Sequence, residues 1–127
     1  MKTSQTIRGF TLVELLVVLT IMATLLSIVA PRYMASIDKA KEAALKTNLR
    51  LMREAIDKYK ADRQKYPDSL QQLATERYLA AVPDDPVLER ADAWVVVYPP
   101  APAASAVYDV RSAAEGLGPS GKPYGDM

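Results

Sequence analysis

Residues 10–30 read F-T-L-V-E-L-L-V-V-L-T-I-M-A-T-L-L-S-I-V-A, a run of 21 residues with one charge, Glu14. As a helix it would extend about 31 Å at ~1.5 Å per residue. That matches the roughly 30 Å hydrocarbon core of a bilayer. The alternative is a helix buried in a soluble core, but a chain of 127 residues has too little surface to wrap an all-round apolar helix of this length. The run therefore reads as a membrane span. Before it lies M-K-T-S-Q-T-I-R-G, with Lys2 and Arg8 and no acid. A plain secretory signal fits poorly, because its apolar region is about 7–15 residues and ends in a small-residue cleavage site. Here Ala30 runs straight into Pro31 and a charged segment. Arg32, Lys39, Lys41 and Lys46 follow the span as closely as Lys2 and Arg8 precede it, so charge alone does not orient it. The short N-terminal side makes that end cytoplasmic the simpler reading, with the remaining domain exported.

Composition removes whole classes of chemistry. The chain has 16 Lys+Arg, 15 Asp+Glu, no His and no Cys. Disulfides, Cys/His zinc sites, Ser-His-Asp triads and Cys nucleophiles are thereby excluded. The near-neutral balance removes the electrostatic case for nucleic acid. The lack of Cys leaves the redox compartment open.

Within the span Glu14 is the exception. A carboxylate at mid-membrane costs ~2.5–3.5 kcal/mol on insertion scales, and less near an end. Either Glu14 reaches the headgroups, being five residues into the run, or it meets a cation that its own helix does not supply. A freed α-amino group of another subunit would serve. Thr20, Ala23, Thr24 and Ser27 lie along one stripe of small residues. Such stripes let membrane helices approach closely, and equally the hydroxyls can bond their own backbone. Pro31 removes one helical hydrogen bond and is expected to kink or loosen the helix near Ala30.

Arg8-Gly9-Phe10-Thr11-Leu12-Val13-Glu14, with the apolar run and Pro31 behind it, resembles the class III signal of type IV pilins and pseudopilins. The resemblance implies that a prepilin peptidase cuts between Gly9 and Phe10 and that Phe10 is N-methylated. It gives Glu14 the family's role, pairing with the Phe N-terminal amine of a neighbouring subunit during assembly. It also implies that the stretch around Pro31 bends or melts within a fibre. Cleavage would leave a mature chain with 14 basic and 15 acidic residues.

From Arg32 to about Lys65 the sequence reads as a helix. Leu45, Leu49, Met52, Ile56 and Tyr59 form one apolar face. Opposite them Glu42/Lys46 and Glu54/Lys58 stand acid before base at i,i+4, which reads as a solvated face. Tyr66-Pro67 is expected to end the helix. Asp68-Ser69-Leu70-Gln71 suggests an N-cap at Asp68 and a short helix through about Arg77, packing Leu70 and Leu73. Val82-Pro83-Asp84-Asp85-Pro86 reads as a turn rather than as a catalytic carboxylate pair. Trp94 to Tyr98 is the strongest strand signal, Pro99-Pro100-Ala101-Pro102 interrupts it, and Ala106 to Ser112 resumes it. From Ala113 to Met127 the chain is punctuated by Gly and Pro and reads as an ordered loop or tail. Residues 32–127 carry 14 charges of each sign, which suggests no charged partner.

The expected fold is α+β: a long N-terminal helix, membrane-spanning in its first half and amphipathic in its second, packed on a small antiparallel sheet. The expected segments are a leader (1–9), a span (10–30), the helix continuation (31–66) and a head (67–127). Tyr66-Pro67, Tyr78-Leu79, Val82-Pro83-Asp84-Asp85-Pro86, the Trp-led strand and Asp109-Val110-Arg111-Ser112 resemble the major, G-type pseudopilins of type II secretion. The resemblance implies a structural, non-enzymatic subunit of a periplasmic helical fibre that drives export of folded proteins. Its partners would be further copies, minor pseudopilins, the prepilin peptidase and an inner-membrane assembly platform. A type IV pilus pilin is the alternative. No cofactor is required. The G-type resemblance also brings a calcium ion into question, with Asp109, Ser112, Glu115 and Asp126 as candidate ligands. The family's acid-rich ending is replaced here by Gly125-Asp126-Met127, so calcium is not favoured.

Overall fold

The computed structural model describes residues 1–102 and 105–127. They fall into two units, Met1–Ser36 and Ile37–Met127. The first holds the leader and the apolar part of helix α1, which runs from Leu12 to Arg63. Every residue of the apolar run is exposed, as expected of side chains that face lipid rather than protein. Pro31 lies inside α1, which continues through it. The proline removes the bond to the Ser27 carbonyl but does not end the helix, because the next turn restores the ladder.

In the second unit α1 presents Leu45, Leu49, Met52, Ala55, Ile56 and Tyr59 to the core. Their spacing puts them along one stripe. The helix stops at Arg63, before Tyr66-Pro67, because Gln64 takes a left-handed conformation (φ 58°) while its N–H still bonds the Lys60 carbonyl at 2.9 Å. Lys60 and Arg63 in the last turn complement the helix dipole. Helix α2 (Leu70–Thr75) buries Leu70 and Leu73 against that stripe. Its N-cap is Ser69, not Asp68: Ser69 Oγ accepts from Gln72 N (3.2 Å) and Gln72 Oε1 accepts from Asp68 N (2.7 Å). The helix ends at Thr75 because Arg77 is left-handed (φ 64°) and the N–H groups of Tyr78 and Leu79 both return to the Leu73 carbonyl.

Strands β1 (Trp94–Val97) and β2 (Asp109–Ser112) pair antiparallel, with Trp94 opposite Ser112 and Val97 opposite Asp109. Both are shorter than their sequence suggests. Tyr98 runs into prolines, and Val107 N donates to the Pro67 carbonyl at 2.7 Å instead of extending the ladder. Trp94, Val107 and Val110 complete the core with Met127. The arrangement is α+β. The loop joining the strands passes through residues 103–104, outside the described residues. The chain after β2 is an ordered loop, with a bridge between Leu117 and Pro123 and a 3-10 turn at Tyr124–Asp126.

Candidate functional site

Just before α1, Gly9 and Phe10 are exposed and lie outside any helix or strand, and a side chain added at Gly9 would meet nothing within 4 Å. The peptide between them is open to a protease. Two residues on, Thr11 and Glu14 cap the helix reciprocally. Glu14 N donates to Thr11 Oγ1 and Thr11 N donates to Glu14 Oε2, each at 3.2 Å. The sequence reading missed this, although Thr-x-x-Glu ahead of an apolar run is the signature of a capping box. The box uses two of the N–H groups that every helix start leaves unpaired and places a carboxylate at the positive end of the dipole. Glu14 therefore has a local role before any partner arrives. Further along, Thr20, Thr24 and Ser27 donate to the carbonyls of Leu16, Thr20 and Ala23 at 2.7–2.8 Å. In the single chain the hydroxyls bond their own backbone.

The head is tied together by three charged groups. Glu42 lies on the face expected to be solvated, yet it is 5% exposed. Lys46 Nζ donates to its Oε1 at 2.7 Å and Ser120 N donates to its Oε2 at 3.0 Å. The lysine first, and then Ser120, hold its pKa at about 2. The expectation fails because a loop 78 residues away covers this turn of the helix, which helical spacing alone cannot show. Glu54, by contrast, is exposed and pairs with Arg50 at 3.9 Å, not with Lys58. Arg53 gathers the end of the chain: Nε donates to Asp109 Oδ1 (2.8 Å), and Nη2 to the carbonyls of Val110 (3.0 Å) and Met127 (2.9 Å). Asp85 is fully buried; it caps its own turn through Val87 N and Leu88 N and accepts the Ser112 hydroxyl. That is turn chemistry, as the Pro-Asp-Asp-Pro pattern suggests.

The four calcium candidates do not make a calcium site. Asp109 Oδ1 is taken by Arg53 and Val110 N. The Ser112 hydroxyl is turned inward, donating to Asp85 and accepting from Ala114 N. Glu115 and Asp126 are exposed. Among the described residues no three acidic side chains are grouped to hold a metal. Calcium wants six to eight oxygens, so this donor set does not fit it.

Comparison with known proteins places both units. The model of the prokaryotic N-terminal methylation motif matches residues 5–30, the stretch with Gly9, Phe10 and the Glu14 cap. The model of type II secretion system protein G matches residues 32–126. The chain belongs to the type II secretion system protein G family. It is 41% identical over 69 residues to the type II secretion system core protein G of Klebsiella michiganensis, covering 54% of this chain and 49% of that one. To the core protein G of Pectobacterium carotovorum it is 33% identical over 88 residues, covering 69% and 56%. To that of Pseudomonas aeruginosa it is 38% identical over 65 residues, covering 51% and 46%. The chain spans about half the length of the curated relatives it matches. No solved structure matches it. The family is one of structural pseudopilins. The methylation motif and the apolar helix fit membrane anchoring of this chain.

Proposed function

We propose that this chain is a structural subunit of the periplasmic fibre of a type II secretion system, anchored in the inner membrane until it is added to the fibre. The observation that carries the reading is the pairing of a methylation motif and exposed span with a protein G head in one chain. A prepilin peptidase cuts between Gly9 and Phe10 and methylates Phe10. The cut leaves the Thr11–Glu14 cap whole and creates a cation at Phe10. Glu14 then sets the register of assembly by meeting the Phe10 amine of a neighbouring copy, which offsets the cost of a carboxylate at membrane depth. Pro31 marks the place where the helix can yield inside the fibre. Minor pseudopilins and an inner-membrane platform are the remaining partners, and the fibre drives folded proteins across the outer membrane. The role is structural, and Glu42, Arg53 and Asp85 hold the head together.

The test is the mass of the chain recovered from membranes. With the peptidase present, the expected species begins at methylated Phe10; without it, residues 1–9 remain. A chain that keeps residues 1–9 in both strains would overturn the processing step.

A further inference from the structure

The equal charge of residues 32–127 conceals a separation. Residues 32–65 carry 10 basic and 5 acidic side chains, whereas residues 66–127 carry 4 basic and 9 acidic ones. The stem is therefore net +5 and the head net −5; Lys41, Arg53 and Arg63 pair with Glu89, Asp109 and Glu76 of their own chain, and the remaining excess of each sign is complementary to the other in a second copy. The head also has a groove of about 300 Å³. Trp94, Val96 and Tyr98 lie along one face of β1 and its extension and floor it together with Leu70, while Asp68 and Asp92 stand at its rim. Tyr98 is 57% exposed, and both acids are exposed. Among the described residues Asp68 takes part in no ion pair, and Asp92 has only a surface contact to Arg90 at 3.4 Å. An apolar floor with an acidic rim suits a segment that offers an aliphatic side chain followed by a cation.

The stem offers one such pair. Leu51 is 45% exposed and, among the described residues, is the one large apolar side chain exposed between positions 37 and 63. Lys58 lies seven residues on, on the same stripe about two turns away. It too is exposed and, among the described residues, takes part in no ion pair. Both point away from the core stripe.

We infer that the groove is the docking site for the stem of a second copy of this chain, with Leu51 entering between Trp94 and Tyr98 and Lys58 meeting Asp92 and Asp68. The inference rests on the fibre reading above and adds to it which surfaces meet. Apolar burial holds the contact and the charges select its register and speed its formation. Copies that approach with like surfaces opposed, stem to stem or head to head, meet repulsion, so the polarity of stacking is set by the chain itself.

The chain has no Cys, so thiol cross-linking can report this contact without background. Two full-length chains with different tags, one Lys58→Cys and one Asp92→Cys, would be produced together in cells that hold the secretion machinery. Their membranes would then be treated with a short bismaleimide. The expected product is a mixed-tag dimer, absent when either Cys chain is produced with an unsubstituted partner. A second arm uses charge: Lys58→Asp and Asp92→Lys should each lower the sedimentable fibre fraction about tenfold, and the two together in one chain should restore most of it. Sedimentable fibre with no 58–92 adduct, and with Lys58→Asp assembling at the unsubstituted level, overturns the docking while leaving the fibre reading intact. Absence of sedimentable oligomer from the unsubstituted chain overturns both.

Discussion

Glu42 illustrates how one side chain closes the head. Its pKa of about 2 lies below the ordinary carboxylate value of 4.5, chiefly because Lys46 and Ser120 bond its charged form. A carboxyl lowered by folding contributes stability that is complete above its unfolded value and is lost as pH falls through the folded one. Glu42→Gln should therefore lower the melting temperature at pH 7 and narrow the gap from the parent between pH 4.5 and 2. Thermal melts of the full chain in detergent across that range check this; an unchanged gap at pH 2.5 would contradict it. Gly118 is the counterpart across the contact. A Cβ there would lie 2.5 Å from Glu42 Oε2 and 2.8 Å from Met127 Cε. Gly118→Ala should cost about 1–3 kcal/mol, read as a lower unfolding midpoint in urea. Arg53 does for the other side of the loop what Glu42 does for this one. Arg53→Met leaves Asp109 and the carbonyls of Val110 and Met127 without their donor, and should cost about 1–3 kcal/mol, read as a lower unfolding midpoint in urea. Calcium should not rescue it.

At the scale of elements, the helical stripe was legible because Leu45 through Tyr59 repeat at three and four, and a strand-rich head was legible from Trp94 to Val97. The boundaries were not. Gln64 and Arg77 stop their helices by adopting left-handed geometry, and nothing in those residue types announces it. Gln64→Gly should relieve that strain and raise stability by about 0.5–1 kcal/mol, measured by denaturant unfolding. The cap at Ser69 rather than Asp68 differs by one position, which propensity does not resolve because both residues cap well. β2 begins late because Val107 is claimed by Pro67, a contact 40 residues long in sequence. The buried Glu42 escaped for the same reason: periodicity reports a residue's angle on its own helix and says nothing of a loop that returns to cover it. The Thr11–Glu14 cap, in contrast, was written plainly in local spacing.

At the scale of the whole molecule, the motif at Gly9-Phe10, the apolar run and the protein G head fit the membrane-held, assembling subunit proposed above. Glu14 joins the scales. Glu14→Leu should insert into the membrane at the normal level, since it removes a charge from an apolar helix, yet fall out of the sedimentable fibre by an order of magnitude or more, about tenfold at least. Assembly at the unsubstituted level would remove the pairing role. In-frame deletion of the coding region would show whether the fibre serves secretion. Culture-supernatant proteins and surface pili would be compared with the parent. The secreted proteins should be lost from the supernatant and retained in the cell while surface pili persist; loss of pili with secretion intact would contradict a role in secretion.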